Sequence, residues 1–571
     1  MSDRSIDRRT DPRPGVAARV GLVVAATGIV SAAIDRRALS TGSPDVPLAV
    51  GFGLFLAIIL LATFRRPMIG ATWVAFGSFA LVYILAAAQL ATSIEGMASY
   101  ILFALGATLV TAPYLRPLMV AAFSLWTTAL WVYGPTAHLD ELPAAVRIGA
   151  VFALAFTVFA IADPRRTHPS DRLRRAGYGV LAIACVSGSI ARHLVVSSTG
   201  VVAPGEFISL IVAVALPALA YARMPERLRG SLATSLALLA FAFTCVALIL
   251  GKSYHVDAVV APHRAAQLLL AGQDPYATFD LPQALAQFHL DPELATHLLN
   301  GDVVHAYNYP AMSFLVVAPF VAIGLDDIRW IYALEVMVMA VLALARLRPA
   351  WRPFALATIV GNGIVARQWI LAGIDPTWAL LVVAAWILRR RRWWPAILVG
   401  LALADRQPAW FVAPFFFLAI AHEVGWREMS RRAALATGVA VAVNLPFIIP
   451  APERAIGGIL SPILAPLVSD GVGLMRYGVA GLIPLLPRDA YTLIALSVLV
   501  VLLVVLWRRP LVLAGAPLAW PFLPLYFAWR SLQNYFAAMP LFALVADEEL
   551  EERRRREPGA ITPPAVERRR T

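Results

Sequence analysis

Residues 231–250, SLATSLALLAFAFTCVALIL, contain no charged side chain. A helix needs about 20 mostly apolar residues to cross the hydrocarbon core of a bilayer, and stretches of this kind recur from Val16 almost to the C-terminus. The chain of 571 residues is 60% hydrophobic and 15% charged, whereas about half of a soluble domain is apolar and about a quarter is charged. The sequence therefore predicts an all-α polytopic membrane protein and excludes an ordinary soluble globule.

Arginines between the apolar stretches orient the predicted spans. The net charge is +13, from 48 Lys+Arg against 35 Asp+Glu, and loops rich in arginine stay on the cytoplasmic side of a membrane. Arginine-rich and arginine-poor loops alternate along the chain, although Arg36 and Arg37 fall in a predicted outer loop. The alternation predicts about 18 crossings in the cell membrane, with both termini in the cytoplasm.

Loop lengths divide the chain into four regions. A basic N-terminal tail (1–15) precedes a membrane half of about eight spans with short loops (16–230). A second membrane half (231–547) carries long outer loops, and a charged cytoplasmic tail (548–571) ends the chain. We interpret the first half as a scaffold and the second as a catalytic or binding half. The later predicted spans, apart from the region 309–346, are 353–366, 374–388, 393–404, 409–424, 432–450, 490–507, 511–526 and 533–547.

The region after the long outer loop allows two interpretations. Either 309–324 crosses the membrane, or it forms a re-entrant or surface helix and the crossing is 328–344. The second interpretation places Arg346, Arg348 and Arg352 inside, which the rule for basic loops favours.

The longest polar stretch between predicted spans, 251–309, falls on the outer side. Loops of this length are usually functional or disordered, and the apolar patches within this one favour short helices on the membrane surface. A helix that begins at Asp257 would end at Gly272 and Asp274. Asp257 then lies at the outer membrane surface, where a carboxylate can accept a proton in a cleft. The alternative is that Asp257 only caps this helix.

Three motifs in the second half carry a family resemblance. Asp257 is followed by LLLAGQDPY at 268–276 and by YNYP at 307–310, GLALADRQ occupies 400–407, and RSLQNY occupies 530–535. In this order they resemble the GT-C superfamily of integral membrane glycosyltransferases. The resemblance is closest to the glycosyltransferase family 87 polyprenyl-phosphate-mannose-dependent mannosyltransferases of actinobacteria.

The resemblance implies an inverting transfer of mannose or a pentose from a polyprenyl-phosphate donor to a cell-envelope glycan or glycolipid on the outer face. It implies that Asp257 is the general base. Guanidinium groups bind phosphate with two parallel hydrogen bonds and stay charged, so outer-side cations are candidates for the leaving phosphate. The donor phosphate candidates are Arg530, Arg406, Arg367 and Lys252. The candidates for sugar or acceptor contacts are His255, Asp274, Tyr276, Tyr307, Tyr309, Gln407 and Asn534.

No cofactor, metal or nucleic acid is expected. The spacings of the loop histidines match no common metal-ligand motif, and we expect Asp326 and Asp327 to be solvated turn residues. The expected partners are the lipid-linked donor, the lipid or glycan acceptor and membrane lipids.

Two other functions remain open. One is a transporter or lipid flippase, a class that places ionisable residues near the bilayer midplane and often has paired halves. The other is a GT-C-like scaffold without activity. Most candidate polar residues here fall at the outer ends of the predicted spans, which favours chemistry at the outer surface.

Overall fold

The computed structural model describes residues 224–347, 376–471, 484–508 and 516–532, together with isolated positions at 208, 211–212, 215–216, 219, 349, 352–353, 356, 366, 369–371, 475, 479, 535, 538, 542 and 545. All of them belong to one compact unit of the chain. The two predicted tails, most of the first membrane half, and the candidates Arg367 and Asn534 lie outside the described residues.

The described residues are mostly helical. The helices are α1 (Glu226–Gly251), α2 (Asp257–Leu270), α3 (Pro275–Thr278), α4 (Leu281–Gln287), α5 (Met312–Leu315), α6 (Ala318–Ala322), α7 (Arg329–Arg346), α8 (Thr377–Ile387), α9 (Trp394–Leu403), α10 (Pro408–Val424), α11 (Trp426–Ile448), α12 (Pro452–Leu464), α13 (Arg488–Arg508), α14 (Ala516–Ala519) and α15 (Phe522–Tyr526). A 3₁₀ turn spans Pro292–Leu294, and two short strands, β1 (Asp470–Gly471) and β2 (Arg530–Ser531), pair in parallel.

Among the described residues, α1 and α13 are long and apolar enough to cross a membrane. Their 26 and 21 residues correspond to about 39 and 32 Å of helix, against a hydrocarbon core of about 30 Å. Both coincide with predicted spans. The total of about 18 crossings stays a prediction, because most of the first half is outside the described residues.

The region after the outer loop does not form one long helix. Between 309 and 324 the chain makes only α5 and α6, of four and five residues, and it turns at Gly324 with φ of +91°. The next helix, α7, has 18 residues, about 27 Å. Which of the two segments, 309–324 or 328–344, crosses the membrane stays a prediction.

Other predicted spans are shorter or longer in the structure. Helices α8 and α9 have 11 and 10 residues, about 16 and 15 Å, and pack side by side as a hairpin. Helix α12, which packs against α11, was not among the predicted elements. The close contact of α9 with α11 explains a glycine of the second motif, because a Cβ atom at Gly400 would overlap the Ala436 carbonyl oxygen.

A buried arginine fixes the foot of the outer loop. Arg329, at the start of α7, is ion-paired with Asp327 at 2.6 Å and donates to the carbonyl oxygens of Ile249 and Lys252 at 3.0 and 2.7 Å. Its guanidinium also lies over the Tyr254 ring, 5.1 Å from the ring centroid. The expectation that Asp327 is a solvated turn residue is therefore wrong, because this carboxylate neutralises a buried cation.

The hydroxyl of Tyr254 continues this network into α2. It accepts from the Ile328 N–H at 3.0 Å and bonds His263 Nδ1 at 2.9 Å. Burial lowers the pKa of His263 to about 4, so this side chain is neutral at pH 7. The end of α1 and the start of α7 are thereby joined to the middle of α2.

Candidate functional site

Asp257 begins the first turn of α2, as predicted, but it does not cap the helix. Val256 is the N-cap residue, and no side-chain hydrogen bond caps this end. Instead, Thr296 donates its hydroxyl to Asp257 Oδ2 at 2.7 Å. The capping alternative is therefore wrong, and the half-buried carboxylate is oriented by the far side of the outer loop.

Arg406 and Tyr309 lie beside this carboxylate. The Arg406 guanidinium carbon is 3.5 Å from the centroid of the Tyr309 ring, a cation–π geometry. Burial raises the pKa of the Tyr309 phenol to about 12, while the Arg406 charge opposes this rise and the Asp257 charge adds to it. Arg406 is 4% exposed, and its Nη2 lies 3.5 Å from the Ala258 carbonyl oxygen. These three side chains form one electrostatic group.

Arg530 is held by the short parallel sheet. Its strand β2 pairs with β1, so that Arg530 lies opposite Asp470. The guanidinium Nη2 is 4.0 Å from Asp470 Oδ2, which is too long for a hydrogen bond, and Nη1 lies 3.5 Å from the Val468 carbonyl oxygen. The preceding residue, Trp529, donates its indole N–H to the Leu467 carbonyl at 2.7 Å. Arg530 is thus fixed mainly through its backbone and its neighbour.

Backbone hydrogen bonds connect the outer loop to this sheet. The Val468 N–H donates to the His297 carbonyl at 3.0 Å, and the Leu299 N–H donates to the Pro466 carbonyl at 2.7 Å. Leu298 and Leu467 form a bridge between the same two segments. Because His297 directly follows Thr296, the residue that orients Asp257 is tied to the segment that carries Asp470 and, through it, to Arg530.

Tyr535 lies five residues after Arg530 in the chain. Its phenol interacts electrostatically with Arg530, Arg406, Asp470 and Asp257. We call this set the Asp257 cluster: Asp257, Thr296, Tyr309, Arg406, Asp470, Arg530 and Tyr535. It combines two carboxylates, two guanidinium groups, one hydroxyl of a threonine and two phenols.

Two predicted sugar contacts, Tyr276 and Tyr307, are buried in the loop. Tyr307 is 0% and Tyr276 is 2% exposed, and the rings meet edge to face with centroids 5.5 Å apart. The Tyr307 hydroxyl bonds Ser313 Oγ at 2.6 Å, and the Tyr276 hydroxyl donates to the Tyr309 carbonyl at 2.7 Å. Neither ring offers a surface for a sugar in this conformation, and the pair instead supports the backbone of Tyr309.

Asp274 and Gln407 have comparable supporting positions. Asp274 is the N-cap of α3, where its Oδ1 accepts from the Tyr276 N–H at 2.9 Å. Gln407 donates to the carbonyl oxygens of Asn308 at 2.9 Å and Ile459 at 3.1 Å. Gln407 therefore joins the end of the outer loop to α12, next to the Asp257 cluster.

The remaining candidates lie at the foot of the loop. Lys252 follows α1 and is half-buried, and its carbonyl accepts from Arg329. Among the described residues, no hydrogen bond or ion pair joins the Lys252 ammonium to the Asp257 cluster. His255 is exposed. The structure thus brings together Asp257, Tyr309, Arg406 and Arg530, and it does not link Lys252 to them.

Sequence reasoning missed Thr296, Asp470 and Tyr535. Thr296 is 39 residues from Asp257, and no local pattern marks it. Asp470 carries a signal in retrospect, since the pair Asp470-Gly471 interrupts an apolar stretch. Tyr535 ends the third motif but was not selected from it.

A close approach between α12 and the outer loop supports the cluster and gives a stability prediction. A Cβ atom at Gly458 would overlap the Tyr307 carbonyl oxygen, whereas a Cβ at Gly457 would meet nothing within 4 Å. Both changes to alanine favour the helix by about 1 kcal/mol. Only Gly458→Ala adds a clash, which destabilises the fold by about 1 to 3 kcal/mol. We expect Gly458→Ala to lower the midpoint of thermal unfolding relative to Gly457→Ala. Equal midpoints for the two variants would contradict this packing.

Comparisons with known proteins add no identification. The chain matches no protein-family model, no curated protein and no solved structure. The motifs and the Asp257 cluster are therefore the features of this chain that bear on its function.

Proposed function

We propose that this chain is an inverting membrane glycosyltransferase that moves mannose or a pentose from a polyprenyl-phosphate donor to a cell-envelope glycan or glycolipid. The observation that carries the proposal is that hydrogen bonds connect Asp257, through Thr296 and the 297–299 and 466–468 segments, to the sheet that holds Arg530, while Arg406 lies beside Ala258 and Tyr309. Asp257, Arg406 and Arg530 come from three separate motifs of the sequence, and they combine a candidate base with cations suited to a leaving phosphate.

In the proposed reaction, Asp257 takes the proton of the acceptor hydroxyl. The hydroxyl oxygen bonds to the anomeric carbon while the bond from that carbon to the phosphate oxygen breaks, and the electron pair leaves with the lipid phosphate. Attack from the face opposite the phosphate inverts the configuration. The hydroxyl of Thr296 supports this role, because its hydrogen bond fixes one carboxylate oxygen and thereby the direction of the other.

The two arginines have different roles in the proposal. Arg530 meets the donor phosphate, because its side chain is 15% exposed and its nearest carboxylate, that of Asp470, is beyond hydrogen-bonding distance. Arg406 is almost fully buried and stacks on Tyr309. We therefore propose that Arg406 holds Tyr309 and adds positive potential, and does not bind the phosphate directly.

The proposal also includes the membrane placement. Helices α1 and α13 are crossings among the predicted total of about 18, both termini lie in the cytoplasm, and the Asp257 cluster faces the outer side. An exposed lipid phosphate can then reach Arg530 from the bilayer while a glycan acceptor approaches from the water.

A donor-dependence assay with the purified full-length chain in lipid vesicles tests this function. We expect transfer of labelled sugar from polyprenyl-phosphate mannose or a polyprenyl-phosphate pentose, and none from the corresponding nucleotide sugars. Acceptors are supplied as a cell-envelope glycolipid extract. Movement of the lipid-linked sugar across the vesicle membrane without transfer would identify a transporter or flippase instead. If the chain neither transfers nor moves the sugar of any of these donors, the result would support a scaffold without activity.

A further inference from the structure

Helix α10 separates two chemically different ends of the described unit. Arg406 and Gln407 of the candidate site directly precede it, and Glu423 lies in its last turn. Its 17 residues span about 25 Å, which is close to the thickness of the hydrocarbon core. The end that carries Glu423 therefore lies near the opposite membrane boundary when the candidate site lies at the outer one.

An ion pair and a hydrogen bond of two buried arginines join two turns of the chain at this far end. Arg389 Nε lies 3.2 Å from Glu423 Oε1, and Arg432 Nε lies 2.9 Å from Glu428 Oε1. Arg432 also donates to the Arg389 carbonyl at 2.6 Å. Because Arg389 and Arg432 are each 4% exposed, they form the interior of this end. The two turns are residues 388–394 and 421–432. Their two acidic residues, Glu423 and Glu428, each form an ion pair with one of these buried arginines.

The outer surface of the same two turns is basic and aromatic. Trp393, Trp394 and Trp426 are 48%, 61% and 53% exposed, and the Arg392 guanidinium lies 4.4 Å from the centroid of the Trp393 ring. Arg346 joins this end through a 3.2 Å hydrogen bond to the Ile387 carbonyl. We call this the Arg-Trp surface; its exposed members are Arg346, Arg390, Arg391, Arg392, Trp393, Trp394, Trp426, Arg427 and Arg431.

We propose that the Arg-Trp surface binds the anionic headgroups of phospholipids in the leaflet opposite the Asp257 cluster. Exposed indoles clustered on two neighbouring turns are typical of the membrane–water boundary, where an apolar ring and a polar N–H are both accommodated. The arginines supply the charge that anionic headgroups complement, and the guanidinium fork matches a phosphate. The proposal rests on the membrane placement given above and not on glycosyl transfer.

A binding measurement on the full-length chain in neutral detergent tests this proposal. The probes are dioctanoyl phosphatidylglycerol and dioctanoyl phosphatidylcholine, and native mass spectrometry gives the bound fraction. We expect the wild type to bind phosphatidylglycerol at least about tenfold more tightly, with the difference falling as salt is added. We expect the triple variant Arg390→Gln/Arg391→Gln/Arg392→Gln to lower the ratio of the two lipid affinities at least about tenfold. Each basic residue near an anionic surface raises the affinity for that surface roughly fivefold.

Matched variants separate the surface from general charge effects. Arg454→Gln removes an exposed arginine from α12 on the side of the candidate site, and it should leave the preference unchanged. Arg427→Gln/Arg431→Gln changes the second turn and covers the case in which the triple variant does not fold. The proposal is overturned by equal binding of both lipids to the wild type, or by a preference that survives in the folded variants. It is equally overturned if Arg454→Gln lowers the preference for phosphatidylglycerol as much as the triple variant does. The same holds if inorganic phosphate displaces bound phosphatidylglycerol as well as unlabelled phosphatidylglycerol does. An inactive transferase would leave this readout unaffected.

Discussion

Replacing Asp257 with asparagine is expected to lower the rate of sugar transfer by about 10² to 10⁴-fold, the usual contribution of a general base. Asparagine has nearly the same shape, and its carbonyl oxygen can still accept the Thr296 hydroxyl that bonds Asp257 Oδ2 at 2.7 Å. The variant therefore removes the proton acceptor while it keeps the local packing. The measurement is the initial rate of transfer from a polyprenyl-phosphate sugar in vesicles, with thermal unfolding as the check on folding.

Three further variants sharpen this test. Thr296→Val removes the hydrogen bond but keeps the base, so we expect a smaller loss of rate, about tenfold. Asp257→Glu keeps the carboxylate but displaces it by one methylene group, and we expect it to be less active than the wild type and more active than Asp257→Asn. Glu293→Gln changes an exposed acid of the same loop and is expected to leave the rate unchanged. Full activity in a folded Asp257→Asn variant would reject the assigned role.

The bounds of a helix can be predicted from the sequence where turn-forming residues flank it. Helix α2 begins at Asp257 and ends at Leu270, just before Gly272, whose φ of +75° suits glycine. Helices α8 and α9 lie within the predicted spans 374–388 and 393–404 but are shorter, because an apolar run alone does not mark where a helix ends. A run of apolar residues fixes which segments avoid water, but the length of the helix within it depends on tertiary packing.

The site was predictable as a set of residue types and not as a set of contacts. The motifs selected Asp257, Arg406 and Arg530, which the structure groups together. They also selected Tyr276 and Tyr307, whose burial follows from ring packing that a linear motif does not encode. Asp327 shows the reverse case, because an acid in a turn is ordinarily solvated and only the buried Arg329 of the folded chain gives it a partner.

Replacing Arg530 with glutamine is expected to reduce the kcat/KM for the lipid-linked donor by about 10² to 10³-fold, the usual effect of removing one group that stabilises a developing anion. The physical reason is the loose contact with Asp470. At 4.0 Å from the nearest carboxylate oxygen, the guanidinium lacks the short hydrogen bonds that a phosphate would supply. The KM for the acceptor is expected to stay within about threefold, because the acceptor approaches Asp257 and carries no phosphate at the reacting centre.

The variants around Arg530 have effects of different sign and size. Arg530→Lys keeps the charge but loses the bidentate fork, so its donor kcat/KM should lie between those of the wild type and Arg530→Gln. Asp470→Asn removes a carboxylate that repels the donor phosphate, so we expect a lower donor KM. Arg264→Gln changes a half-buried arginine in α2, and it should leave both KM values unchanged. An acceptor KM that rises as much as the donor KM in Arg530→Gln would contradict phosphate binding, and a larger rise of the donor KM in Arg406→Gln would move that role to Arg406.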